Sequence, residues 1–216
     1  MIKTSATALA AILFGTLPGL AQDVVVYGGG ELEFLFSPDG SGSGNTTTLM
    51  AYFEADLNGA YAGFSGEVAN DSIANEITAY IGYRRDLDSG FSYDIYYTQY
   101  YYPNDGGGCC GEIGLSLGQS IGDKLSVSFD AYHVPDDSTS SAYVGLAYDV
   151  TDTINASVNY GIYEVAGAGN ESEWDIGATY GISDEVGVDA RYYDGSDYVD
   201  GYFGLSLTFD TTIFGG

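Results

Sequence analysis

The stretch Ile154-Asn155-Ala156-Ser157-Val158-Asn159-Tyr160-Gly161-Ile162 sets an apolar or aromatic residue at every even position and a small or polar one at every odd position. Successive side chains of a strand point to opposite faces, so this segment has one greasy face and one wet face. From Asp23 to the C-terminus the chain is a row of such segments, aromatic-rich and each closed by a turn. Alternation fits a soluble β-sandwich, which hides its greasy faces between two sheets. It fits equally a barrel that turns them to lipid. Nothing in the row has the pattern of a helix that could cover the greasy faces, so the choice falls to the rest of the sequence.

The N-terminus carries Lys3, a mainly apolar run from Ala8 to Leu17, and then Gly19-Leu20-Ala21. This is the order of a secretory signal peptide, expected over residues 1–21 with cleavage after Ala21. Residues 22–216 then form the exported chain, a single domain with no linker or low-complexity block. The apolar run is too short for a spanning helix, and no later segment supplies a longer one. Any membrane role therefore falls to strands. Export and repeated alternation together predict an all-β fold: a transmembrane antiparallel up-and-down β-barrel of about 12 strands.

Turn signals support that topology. Tight connections are expected at Leu57-Asn58-Gly59, Asp88-Ser89-Gly90, Gly122-Asp123-Lys124, Thr151-Asp152-Thr153 and Ser183-Asp184-Glu185. Longer polar loops are expected over Ser37–Asn45, Ala69–Ala74, Pro103–Gly108, Pro135–Ser140, Ala166–Asn170 and Asp194–Asp197. Short periplasmic turns facing longer outer loops are the asymmetry of bacterial outer-membrane barrels. The lipid-facing parity reads Ile77, Ala79, Ile81, Tyr83; Phe91, Tyr93, Ile95, Tyr97; Ile113, Leu115, Leu117; and Leu125, Val127, Phe129. It continues with Ala142, Val144, Leu146, Tyr148; Trp174, Ile176, Ala178, Tyr180; and Val199, Phe203, Leu205, Leu207, Phe209.

The opposite parity is acidic. Glu54, Asp56, Glu67, Glu76, Asp94, Glu112, Asp130, Asp149, Asp175, Asp189 and Asp200 fall on it, with Glu31 and Glu33, and with Arg84 and Arg191 among them. These are the expected pore-lining residues, the two arginines holding carboxylates in bidentate pairs. The whole chain has 31 Asp and Glu against 5 Lys and Arg, a net charge of −26. Such a balance excludes nucleic acid as a partner, because phosphate binding needs basic patches. Inside a pore it favours cations. Tyr52, Tyr96, Tyr100, Tyr132, Tyr143, Tyr163 and Tyr202 also point inward and could fill a bore of this size.

Catalytic and metal signals are weak. Gly114-Leu115-Ser116-Leu117-Gly118 matches the hydrolase elbow in letters, but it sits inside an alternating strand rather than at a strand-to-helix turn. His133 is the only histidine, and no nucleophile motif accompanies it. Asp39-Gly40-Ser41-Gly42-Ser43-Gly44 opens like a calcium loop, yet its twelfth position is Met50 rather than Glu. Cys109 and Cys110 match no zinc spacing; as neighbours they either join each other or bridge to another chain. No catalytic residue, metal site or cofactor is expected.

Several stretches resemble a known family. They are Ala60-Tyr61-Ala62-Gly63-Phe64, Asn75-Glu76-Ile77-Thr78-Ala79-Tyr80-Ile81-Gly82-Tyr83, and Phe91-Ser92-Tyr93-Asp94-Ile95-Tyr96-Tyr97 running into Tyr100-Tyr101-Tyr102-Pro103. Glu112-Ile113-Gly114-Leu115-Ser116-Leu117-Gly118 follows. Together they are similar to the TorF family of proteobacterial outer-membrane porins, a likeness that covers the middle and later part of the chain. It implies an outer-membrane barrel with a transport role. Tyr202-Phe203-Gly204-Leu205-Ser206-Leu207-Thr208-Phe209 further resembles the C-terminal assembly signal of outer-membrane proteins, leaving Asp210–Gly216 as an expected periplasmic extension.

The expectation is thus a cation-biased porin for small hydrophilic solutes, working among outer-membrane lipid and the barrel assembly machinery, with its oligomeric state open. The alternatives are a closed recognition barrel acting through its outer loops, and a barrel enzyme built on His133.

Overall fold

A computed structural model describes residues 24–37, 45–70, 75–196 and 201–215. The expected signal peptide, the Asp39–Gly44 loop, Val199 and Asp200 lie outside the described residues. Twelve strands follow one another: β1 Val24–Phe36, β2 Thr46–Leu57, β3 Ala60–Ala69, β4 Glu76–Asp86, β5 Phe91–Tyr102 and β6 Gly107–Ile121, then β7 Leu125–Val134, β8 Thr139–Asp149, β9 Ile154–Val165, β10 Gly169–Gly181, β11 Val186–Gly195 and β12 Tyr202–Phe214. Each pairs antiparallel with its neighbours in sequence, and β1 pairs with β12 to close the barrel. Closure leaves no sheet edge unpaired, the condition for strands to exist in lipid.

The apolar residues rule out a sandwich. Among the described residues the only buried hydrophobic side chains are Val26 and Tyr61. Large apolar groups stand exposed instead on nearly every strand, Ile81 at 60% and Ile176 at 55% among them. A sandwich would bury these faces against each other. Here they form one continuous outer belt, which only lipid can cover. Trp174, Tyr192, Phe203 and Phe36 form a chain of ring contacts at the outer ends of β10, β11, β12 and β1, with centroids 5.8, 5.1 and 5.8 Å apart. Amphipathic rings at that height form an interfacial girdle.

The Leu57-Asn58-Gly59 turn shows how local chemistry sets the hairpins. Asn58 and Gly59 both have positive φ, 53° and 87°, the geometry that a two-residue hairpin matching strand twist demands. Asp56 Oδ1 accepts from the Gly59 amide at 3.0 Å.

Two expectations change. The segment after Phe209 is not an extension: β12 runs on to Phe214, with Thr211 opposite Gly28 and Phe214 opposite Val26. It continues because β1 begins at Val24 and offers that length of unpaired backbone. A bulge between Val26 and Tyr27 absorbs Ile213. The loops also differ. At the outer end β5 and β6 are joined by residues 103–106, β7 and β8 by 135–138, and β9 and β10 by 166–168. These are as brief as the opposite turns 87–90 and 150–153, because the strands continue into the polar stretches. Length at the outer end is confined to the connections after β1, β3 and β11.

Candidate functional site

Cross-strand partners share a face, so the register carries one face around the whole barrel. One row runs Asp56, Tyr61, Gly82, Tyr96, Gly114, Tyr132, Ser141, Tyr163 and Glu171 from β2 to β10. A second runs Arg84, Asp94, Ser116, Asp130, Tyr143, Gly161 and Glu173 from β4 to β10. Glu54 stands opposite Gly63, Glu67 opposite Glu76, Glu112 opposite Thr98, Asp149 opposite Asn155, Asp175 opposite Asn159, Asp189 opposite Thr179 and Arg191 opposite Gly177. All of the sequence-assigned inward set except Asp200, which is not described, therefore fall on one face. That face is the concave one. Its side chains reach strands two away, as convergence inside a barrel allows: Tyr61 of β3 reaches Asp94 of β5, and Arg191 of β11 reaches Ser157 of β9.

Both arginines are committed. Arg84, near the tight-turn end, pairs with Glu54 and donates from Nη2 to Asp56 Oδ2 at 3.3 Å. Its guanidinium lies 4.5 Å from the centre of the Tyr61 ring, a cation–π stack. Arg191, at mid-strand, grips Asp189 with two donors at 3.2 Å each. It also pairs with Asp175 and donates to Ser157 Oγ at 2.8 Å. Thr179 and Asn159 complete the coordination of Asp189 and Asp175 at 2.7 and 2.9 Å. Glu54, Asp56, Asp175 and Asp189 are thus the carboxylates these two arginines hold. Arg85 sits on the outer face against Tyr83, and Lys124 lies in a turn near Tyr148.

Several of the remaining carboxylates accept from hydroxyls or an amide, and two stand in like-charged company. Glu112 accepts from Tyr100 at 3.2 Å, and Glu76 from Thr78 at 2.6 Å. Glu67 and Glu76 oppose each other directly across β3 and β4. Asp149 lies at the tight-turn rim, where Asn155 donates to it at 2.8 Å.

A recurring device organises this wall. A tyrosine on one strand lies over a glycine of the next and reaches an acceptor on the third. Tyr61 crosses Gly82 and donates to both Asp94 oxygens, at 2.8 and 2.9 Å. Tyr52 crosses Gly29 to Asp210 at 2.6 Å. Tyr96 covers Gly114, with Tyr132 beyond it, and Tyr143 covers Gly161, with Glu173 beyond it. Gly63, between Glu54 and Tyr80, is covered the same way. Only a residue without a side chain admits the ring. The sequence reading did not assign Tyr61, Tyr80 or Tyr193 to this face. The available signal was an inward glycine opposite an inward tyrosine across a hairpin.

The other chemical candidates disperse. His133 stands opposite Ile113 on the outer-facing parity, its Nδ1 3.0 Å from Ser140 Oγ. Ser116 lies within β6 between Asp94 and Asp130, with no helix following it. Cys109 and Cys110 are joined to each other. They sit where β6 carries an extra residue against β5, between the Gln99–Gly111 and Tyr101–Gly108 pairs. Gln99 Nε2 donates to the Cys110 carbonyl at 3.1 Å.

No protein-family profile matches the chain, and no curated protein matches it. Solved structures do. The chain is similar to the KdgM porin at 11% identity over 84% of this chain and 98% of that one, with a TM-score of 0.66. It is similar to the NanC porin at 10% identity over 88% and 100%, with a TM-score of 0.58. Salmonella typhi OmpF, solved with daunomycin, aligns at 11% identity over 90% and 99%, with a TM-score of 0.50. At such identities the likeness is one of architecture: this chain has the closed antiparallel barrel fold of outer-membrane porins.

Proposed function

We propose that the protein is an outer-membrane porin through which small hydrophilic solutes diffuse passively, with a bias toward cations. Export follows from the signal peptide at residues 1–21, and the barrel assembly machinery inserts residues 22–216 as one domain. The observation that carries the reading is a concave face polar all the way round, whose two arginines are both engaged by carboxylates. The pore-lining set is Glu54, Asp56, Glu67, Glu76, Arg84, Asp94, Glu112, Asp130, Asp149, Asp175, Asp189, Arg191 and Asp200. With Arg84 and Arg191 neutralised locally, the rest leave the potential negative.

An open bore is supported by the tyrosines. Tyr52 and Tyr61 are drawn along the wall to acceptors two strands away, not across the bore. Cavities of about 520 and 540 Å³ lie against the wall near Tyr132 and near Tyr52. One similar structure holds an oligogalacturonate in the KdgM porin. That polyanion is disfavoured in a lumen of this charge, so the solutes here differ. The TorF likeness agrees with a transport role.

The test is conductance of refolded protein in a planar bilayer under a KCl gradient. Ohmic steps with a reversal potential on the potassium side are expected. A chloride-side reversal overturns the bias. Inserted, folded protein without steps overturns the porin in favour of a closed recognition barrel.

A further inference from the structure

The lumen has two chemically different halves. Strands β11, β12 and β1 to β4 carry both inward arginines, while β5 to β10 contain no Lys or Arg at all. The latter half instead carries a line of rings: Tyr96 and Tyr132 meet edge to face at 6.4 Å between centroids, and Tyr132 and Tyr143 at 5.9 Å. Tyr132 and Tyr143 also line a cavity of about 520 Å³ with Tyr100, Glu112, Asp130 and Asp175. Asp175 is taken by Arg191 and Asn159 and Glu112 by Tyr100, but Asp130 is in ion pair with no cation among the described residues. It stands opposite Tyr143 and two residues from Tyr132.

We propose that this wall is a binding subsite for protonated amino sugars, entered from the outer mouth. The inference rests on the porin reading and names its solute class. A pyranose ring has a face of C–H bonds with partial positive charge, which packs on the negative face of a tyrosine. An ammonium beside that ring gains both a cation–π contact and a carboxylate. Rings and carboxylates alternate here within one cavity, so one solute reaches both. Ring without charge, or charge without ring, satisfies only half of the wall. An anionic sugar meets Asp130 and Glu112 and is repelled.

The experiment is interruption of the single-channel KCl current by short oligomers added on the loop side. Deacetylated chitotriose is expected to produce discrete, concentration-dependent closures. Its N-acetylated form, which keeps the ring faces but lacks the charge, trilysine, which keeps the charge but lacks the rings, and trigalacturonate are each expected to be at least tenfold weaker. In channels that still show ohmic steps, Tyr132→Ala and Asp130→Asn should each weaken chitotriose about tenfold, while Tyr132→Phe should retain the block. Equal block by the N-acetylated trimer or by trilysine overturns the subsite, as does an unchanged response in Tyr132→Ala. A steady KCl current that chitotriose does not interrupt overturns it too and leaves the porin standing. Absence of any KCl current overturns the porin reading, and the subsite with it.

Discussion

Gly82→Ala isolates the device that shapes the wall. A methyl group at Gly82 would stand 2.5 Å from both Cζ and Oη of Tyr61, far inside van der Waals contact, so the ring must leave. Its departure removes the hydrogen bond to Asp94. One hydroxyl proton is shared between the two oxygens, so this counts once, at roughly 1.5–3 kcal/mol for a charged acceptor. It also removes the stack under Arg84, worth about 0.5–1 kcal/mol at a partly wet site. Alanine stiffens the unfolded chain and returns about 0.4–1 kcal/mol. The net loss is about 1–3.5 kcal/mol, or roughly 1 M in the urea midpoint. Trp174 is the single tryptophan, so its fluorescence reports unfolding of the detergent-refolded barrel without a label. Tyr61→Phe keeps the ring and loses the hydroxyl, and should fall by the hydrogen-bond share alone. In the double variant the second change finds little left to remove, so the coupling should be at least about 1 kcal/mol. Strictly additive losses, or Gly82→Ala at wild-type stability, refute the argument that the glycine exists to admit the ring.

Arg191→Gln strands Asp175 and Asp189 beside each other and should cost about 1.5–3 kcal/mol, read as a lower urea midpoint. It should also raise the potassium selectivity in reversal-potential measurements. Glu76→Gln relieves a like-charge pair with Glu67 and should leave stability unchanged or raise it by about 0.2–1 kcal/mol, while selectivity falls. Joint replacement of Cys109 and Cys110 by serine should move the urea midpoint little, because a bond between neighbours closes almost no loop and so constrains the unfolded chain weakly. Without reductant, iodoacetamide should add no mass to the unfolded wild-type chain. Trp174, in the outer girdle, should be quenched by lipids brominated high on the acyl chain and much less by those brominated near its end.

Parity was the legible part of this fold, because lipid and water sort side chains strand by strand and need no knowledge of what pairs with what. Ile77, Ile81 and Tyr83 could be told from Glu76 and Arg84 within one segment. So could the two-residue turn at Asn58-Gly59, whose backbone demand is local. What stayed hidden was everything that depends on a third strand. Tyr80 shares the parity of Glu76 and Arg84, but that its ring lies over Gly63 is decided by the neighbouring strand. The end of β12 was hidden for the same reason. Asp210-Thr211-Thr212 reads as polar tail until β1 stands beside it, presenting Gly28 and Tyr27 as partners. Loop lengths erred similarly: Gly107 and Gly108 look like loop but pair with Tyr102 and Tyr101.

The same third-strand contacts connect stability to the bore. A tyrosine free to rotate inside a barrel of this width would stand across it. One that crosses a glycine and is tied to a carboxylate is held along the wall, so the glycine that looks like a weak point in its strand makes room for the ring there. The carboxylate at the far end then has two roles. Asp94 and Asp210 anchor Tyr61 and Tyr52, and an acceptor-only anion is suited to this because it takes the hydroxyl proton without competing to donate. Each such anchor also leaves a negative charge at the lumen surface, since a hydroxyl satisfies a carboxylate without neutralising it. An acidic, tyrosine-rich and glycine-rich composition is therefore what one wall design requires, and the proposed bias toward cations would rest on how the rings are held back.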